Sequence, residues 1–232
     1  IIGVYDDISL ICPYIDKADI PADGYLVKVF DNPSAAGCKL MVITGHTDIT
    51  VFYGAVDFLD DYLPATAIVK AGITYTDHLL YSELPDYQHA SAPKIKTRSI
   101  FAWGHTINSY RDYIDHMARL KMNQIVIWND FLPVNAEDVV SYAHEYGIEL
   151  LWGYAWGWSR SCASEDLEHL ELLSRQIVDE YENTYSVALG DGIYFQSFTE
   201  IKNASTINGL NIAQKVTELV NMTAAELLRR YP

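Results

Sequence analysis

Apolar, strand-like segments that run straight into a tryptophan recur through the second half of this chain. They are Ser99-Ile-Phe-Ala-Trp103-Gly, Gln124-Ile-Val-Ile-Trp128-Asn-Asp130 and Glu149-Leu-Leu-Trp152-Gly-Tyr154-Ala-Trp156-Gly-Trp158. A fourth, Gly192-Ile-Tyr-Phe-Gln-Ser-Phe-Thr-Glu200, ends in a carboxylate instead. Helix-like stretches separate them. The first, about Ser109–Leu120, carries Tyr113, Met117 and Leu120 on one face. The second, Ala136–Tyr146, follows Asn135 as cap residue and stops at Gly147, a typical C′ glycine. The third runs from about Ser164 to Tyr181, and the fourth, Leu210–Arg230, has Ile212, Val216, Leu219, Val220 and Leu227 as its apolar stripe. Strands alternating with helices through short turns imply parallel strands joined by right-handed crossovers.

That alternation is the pattern of a (β/α) barrel, whose chemistry sits at the carboxyl ends of its strands. The sequence holds four such units; closing a barrel of this type takes eight in roughly 250 residues. The expected fold is therefore α/β: a small α+β domain over residues 1–92, then the first half of a TIM (β/α)8 barrel over 93–232. A chain that starts at Ile1 rather than Met is read as part of a longer protein. A half-barrel leaves strand edges bare, which favours self-association into a homo-oligomer.

The first region has its own strand and turn signals. Gly24-Tyr-Leu-Val-Lys-Val-Phe30 and Cys38-Lys-Leu-Met-Val-Ile-Thr44 flank the turn chemistry of Asp31-Asn-Pro-Ser-Ala-Ala-Gly37, so they read as a hairpin. Thr47 or Asp48 caps a helix of about Thr50–Tyr62, closed by Pro64. A short strand is expected over Tyr75–Leu80, and the Pro, Gln, His and Ser of Leu84–Pro93 read as a linker.

Composition narrows the partners. Half of the 232 residues are hydrophobic and 20% are charged, enough to build a core and to exclude wholesale disorder. A net charge of −15 argues against binding nucleic acid or an anionic membrane through a general field. No apolar run approaches the roughly 20 residues that span a bilayer. Cys12, Cys38 and Cys162 form neither a metal-ligand spacing nor an even disulfide framework, and the seven histidines are scattered, so no metal or cofactor is expected. There is no His-Glu-x-x-His, P-loop or Gly-x-Ser-x-Gly. The compartment stays open between secreted or periplasmic and cytoplasmic.

Several stretches resemble glycoside hydrolases that place a small α+β domain before a (β/α)8 barrel: the β-N-acetylhexosaminidases, the α-glucuronidases and the O-GlcNAcase-like enzymes. Residues 24–66 look like that small domain. Lys96-Thr-Arg98-Ser-Ile-Phe-Ala-Trp103 looks like the start of the first barrel strand. Asp112-Tyr-Ile-Asp-His-Met-Ala-Arg-Leu-Lys-Met-Asn123 looks like first helix into second strand, and Tyr142-Ala-His-Glu-Tyr-Gly147-Ile-Glu-Leu like second helix into third. One departure matters. The substrate-assisted hexosaminidases deliver adjacent carboxylates from strand 4, whereas Ser197-Phe-Thr199-Glu200 offers one. The resemblance thus implies an α-glucuronidase-like enzyme ahead of a hexosaminidase.

Glycosidic cleavage usually takes two carboxyls flanking the bond. Glu200 stands where the resemblance places the general acid, and Tyr194, Phe195 and Phe198 supply apolar neighbours that would raise its pKa. Its rival role is a solvated loop residue. Asn129 and Asp130 suit sugar hydroxyls, with a turn before Pro133 as the alternative. Trp103, Trp128, Trp152, Trp156 and Trp158 are stacking candidates, Trp156 and Trp158 foremost, although strand alternation allows only some tryptophans to face one side. His105 follows the first strand and could bind a hydroxyl or carboxylate; Arg98 resembles a sugar-holding arginine, with a structural ion pair as its rival role. Together these residues point to a carbohydrate substrate and a glycosidase, with the 232-residue chain inactive alone because its second catalytic carboxylate is not found. A non-catalytic carbohydrate-binding protein is the alternative.

Overall fold

A computed structural model describes residues 1–62, 84, 86–128, 132–154, 169–184, 190–195, 206–207 and 209–231. The chain divides into two compact units, Ile1–Lys96 and Thr97–Pro232. The architecture is mixed α/β.

In the first unit, β1 (Ile2–Val4), β2 (Tyr25–Asp31), β3 (Lys39–Gly45), α1 (Asp48–Tyr62) and β4 (Tyr87–Ser91) form a four-stranded mixed sheet of order β1-β3-β2-β4 with one helix. The hairpin pairs Tyr25 with Gly45 and Asp31 with Lys39. Residues on the two sides of β2 enter different cores. Tyr25, Val27 and Val29 pack with Ile43 and with Val51, Tyr53 and Phe58 of α1. Leu26 and Val42 pack on Ile11, Ile15 and Ile20, which close the opposite face. Thr47 and Thr50 begin α1 reciprocally: each side-chain oxygen accepts from the other's backbone N–H, at 3.2 and 3.0 Å.

Residues 84–93 differ from expectation. The run read as a linker contains β4, which pairs antiparallel with β2 from Tyr25↔Ser91 to Val29↔Tyr87. Its alternate residues Tyr87, His89 and Ser91 are half-buried, and Gln88 and Ala90 are exposed. The strand expected at 75–80 lies outside the described residues.

The second unit alternates throughout. Its elements are β5 (Ser99–Trp103), α2 (Tyr110–Arg119), β6 (Gln124–Trp128), α3 (Ala136–Glu145), β7 (Glu149–Tyr154), α4 (Leu170–Thr184) and β8 (Gly192–Phe195). A two-residue hairpin of β9 (Thr206–Ile207) and β10 (Leu210–Asn211) then precedes α5 (Ile212–Arg230). Strands β5 to β8 pair in parallel and in strict sequential order. Right-handed crossovers all stepping the same way along a sheet place its helices on one face. On one face Ala102, Ile125, Ile127, Leu150 and Trp152 are buried, as are Ile114 and Met117 of α2 and Val139, Val140 and Ala143 of α3; on the other, Val126 and Trp128 are buried, whereas Phe101, Trp103 and Tyr194 are exposed.

Helix ends follow local chemistry. Ser109 caps α2 by accepting from the Asp112 N–H, and Asn211 caps α5 by accepting from the Gln214 N–H at 3.1 Å. Gly147 takes φ 64° just past α3, the left-handed geometry of a C′ position. Asn135, expected as the cap of α3, makes no side-chain cap bond. Its φ of −104° and ψ of 34° depart from the extended geometry that aims a capping oxygen.

Candidate functional site

The face of the parallel sheet opposite the helices is set by register. One row across it joins Trp103, Trp128, Gly153 and Tyr194; the row below joins Phe101, Val126, Leu151 and Gly192. The first row lies at the carboxyl ends of the strands, and the second crosses their middles, at the start of β8. Four aromatic rings from these rows form one cluster. Trp103 and Trp128 have centroids 5.5 Å apart at 62°. Phe101 meets Trp103 edge-on at 6.0 Å, Trp128 at 6.2 Å and Tyr194 edge-on at 5.3 Å. Trp128 and Tyr194 stand 6.1 Å apart across the glycine between them.

Gly153 is what lets those two rings meet. A Cβ there would lie 2.9 Å from the Trp128 Cα and 3.1 Å from its ring Cε3. Trp128 is consequently buried, 3% exposed, in the middle of the cluster, whereas Phe101, Trp103 and Tyr194 are 45%, 43% and 39% exposed at its edges. Such half-open rings offer flat apolar surface beside solvent, suited to a ligand with one C–H face and a polar rim.

Electrostatically the face is quiet. Along its strand positions the charged residue is Glu149, at the amino end, where its carboxylate accepts from the Gln124 side-chain N–H at 2.9 Å. Beyond β5, the Thr106 hydroxyl donates to the Trp103 carbonyl at 2.7 Å and steadies the turn Gly104–Thr106. A cleft of about 400 Å³ lies where α2 and α3 begin, lined by Ser109, Arg111, Asn135 and Asp138 among others. Among the described residues no group of three His, Cys, Asp or Glu could hold a metal ion, and no helix is long and apolar enough to cross a membrane.

The expected site residues separate into three groups. Trp103 and Trp128 come together in the cluster. His105 falls in the turn Gly104–Thr106 that follows β5. Arg98 is placed elsewhere, before the amino end of β5, where its side chain donates to the Lys121 carbonyl and its backbone N–H donates to the Asn123 side chain at 2.7 Å. That is a structural tie between β5 and the start of β6. Glu200, Asn129, Asp130, Trp156 and Trp158 lie outside the described residues.

Phe101 and Tyr194 are members of the cluster that the tryptophan pattern did not select. Period-two alternation places Phe101 on the face of Trp103, and that signal was available. Conversely, Trp152 ends a segment that looks like the other two, yet it pairs with Ile127 and is buried on the helix-covered side. A one-residue offset in register exchanges faces.

No protein-family model matches the chain, and a search of curated proteins finds no significant match.

Proposed function

We propose that residues 97–232 are the first half of a (β/α)8 barrel of a glycoside hydrolase, and that residues 1–96 are the small α+β domain preceding it. The observation that carries this reading is the aromatic cluster of Phe101, Trp103, Trp128 and Tyr194 on the helix-free face of a sequentially ordered parallel sheet, toward its carboxyl ends. Enzyme sites of this fold lie at that end, and sugar rings stack their C–H faces on aromatic side chains.

In this reading Glu200, at the end of the fourth strand segment, is the general acid that protonates the leaving oxygen. The partner carboxylate, base or nucleophile, comes from the other half of the barrel. Asn129, Asp130, His105, Trp156 and Trp158 then contribute to substrate binding. An α-glucuronidase-like, exo-acting hydrolase is preferred over a β-N-acetylhexosaminidase, because strand 4 carries a single terminal carboxylate.

The test is Glu200→Gln in the full-length protein against a panel of aryl glycosides. Loss of hydrolysis with ligand affinity retained supports the acid assignment; undiminished hydrolysis removes it. A second reading, a non-catalytic carbohydrate-binding protein, draws on the lack of any carboxylate at the carboxyl ends of the described face. Sugar binding without turnover by the full-length protein would favour it.

A further inference from the structure

We infer that the cleft between the first turns of α2 and α3 is a second carbohydrate subsite, holding the substrate's chain beyond the sugar stacked on the aromatic cluster. The inference rests on the glycosidase reading above and makes its substrate an oligosaccharide or polysaccharide rather than a single glycoside.

Position is the first argument. Helix α2 follows the carboxyl end of β5 and α3 that of β6, so a cleft where both begin opens at the same end of the sheet as the cluster. Its wall continues the strand that ends in Trp103. The Thr106 hydroxyl donates to the Trp103 carbonyl at 2.7 Å and the Ile107 N–H to the Gly104 carbonyl at 3.1 Å, which folds that continuation into a tight turn. Ile107, Asn108 and Tyr110 then line the cleft. An exo-acting enzyme holds one terminal sugar at the point of cleavage, and the rest of the chain must leave over the rim of the barrel. The cleft lies on that rim. Its volume of about 400 Å³ falls within the roughly 300–1,000 Å³ of small-molecule sites.

The lining suits a neutral, polyhydroxylated ligand. Arg111 and Asp138 supply one charge of each sign, so the cleft is balanced within a chain of −15 and selects an ion of neither sign. Asn108 and Asn135 add amides that both donate and accept. Guanidinium, carboxylate and amide are each planar and two-pronged, which matches the adjacent hydroxyls of a sugar. The half-buried Tyr110 and buried Val139 give an apolar side for its C–H face.

Two of these groups have no structural partner for their polar edges. The Arg111 guanidinium lies 4.5 Å over the Tyr142 ring, and the Tyr142 hydroxyl is itself tied to Asp115 at 2.6 Å. The stack positions the guanidinium and leaves its N–H donors open, since they bond to no described residue. Helix electrostatics do not account for Arg111 either, because a cation in a first turn opposes the macrodipole. Asn135 holds the cap position of α3, yet its side chain makes no cap bond. Its amide is therefore available to a ligand. Donors positioned in advance lower the ordering cost of binding.

The experiment titrates the full-length protein with xylotetraose, cellotetraose and chitotetraose, and with xylose, glucose and N-acetylglucosamine. Parent, Asn135→Ala and Arg111→Met are compared, each carrying Glu200→Gln so that bound sugar is not cleaved. Calorimetry reports binding at either place. Trp103 and Trp128 lie in the cluster and, among the described residues, no tryptophan lines the cleft, so fluorescence reports the cluster. The expected result is that one tetrasaccharide binds at least about tenfold more tightly than its monosaccharide, because linked sites act together. Each variant should remove that advantage while the melting temperature and the fluorescence response to the monosaccharide stay unchanged. Tetrasaccharide affinity retained in both folded variants overturns the subsite, and a persisting fluorescence response then leaves the cluster reading standing. Calorimetric binding that the variants lose, with no fluorescence response in any protein, supports the cleft and removes the sugar from the cluster. Binding of none of the six sugars overturns both.

Discussion

Trp103 and Trp128 occupy the same register position on adjacent parallel strands, and their rings meet at 5.5 Å and 62°. The two are nevertheless unlike. Trp128 is enclosed by its neighbours while Trp103 stays open to solvent, so the pair should divide stability from binding. Removing a buried Trp ring costs about 3–5 kcal/mol, and a half-exposed one about 1–2 kcal/mol. Urea denaturation should therefore show Trp128→Ala severely destabilised and Trp103→Ala mildly so. Titration with sugars, followed by the remaining tryptophan fluorescence, should show Trp103→Ala to be the variant that loses affinity while still folded. Equal stability losses would mean that Trp103 is a core residue rather than a binding surface.

Gly153 sets the spacing of this cluster. A methyl group there meets the Trp128 backbone at 2.9 Å, and the backbone cannot swing aside as a side chain would. Gly153→Ala should cost about 1–3 kcal/mol, the range for overpacking a filled site. It should also alter the near-UV circular dichroism of the tryptophans before global unfolding. An unchanged near-UV spectrum would show that the sheet accommodates the methyl by shifting elsewhere.

Much of this geometry is legible in the sequence, and the exceptions have physical causes. The four strand–helix units of the second region follow from hydrophobic periodicity, and Ser109 and Gly147 do what their types predict. The first-unit strand β4 was hidden because Tyr-Gln-His-Ala-Ser has loop composition and lies at a sheet edge with only alternate residues half-buried. Its identity as a strand comes from pairing with β2. β1 has three residues, too few to show a period. Face assignment needed register. Trp152 ends its apolar run as Trp103 and Trp128 end theirs, but β7 is offset by one, so Gly153 takes the place in the row. Composition carries no record of such an offset.

At the opposite end of the sheet, Asp191 joins three elements. Its carboxylate accepts from the Leu150 backbone N–H at 2.7 Å and from His144 of α3 at 2.9 Å. Asp191→Ala leaves a part-buried N–H without its acceptor and should cost about 1–3 kcal/mol. His144→Ala removes a half-exposed partner and should cost less than about 1 kcal/mol. Urea denaturation of both variants checks the ranking. If His144→Ala proves the costlier change, the ion pair rather than the backbone bond holds this corner.

The α4–α5 contact ends in an ion-pair network that should release in acid. Glu226 accepts from Arg229 Nε at 2.9 Å and Arg230 Nε at 2.7 Å, while Arg230 also donates to Glu182 at 2.6 Å. The Arg229 bond, then the Arg230 bond, lowers the Glu226 carboxyl to about 2, and the Arg230 bond lowers Glu182. A carboxyl whose folded pKa lies below its unfolded value contributes stability above the unfolded value and loses it as pH falls toward the folded one. The window for Glu226 runs from 4.5 down to about 2. Because Arg229 is exposed and Glu226, Glu182 and Arg230 are only half-buried, the effect should be local and weakened by salt. Amide exchange in the last turns of α5 should accelerate across that window at low ionic strength. In Glu226→Gln the same amides should exchange fast already at neutral pH, with a flatter response to acid. If the parent's exchange tracks only global unfolding, the network is ornamental, and the Ser174–Thr223 contact with its apolar neighbours holds the helix pair.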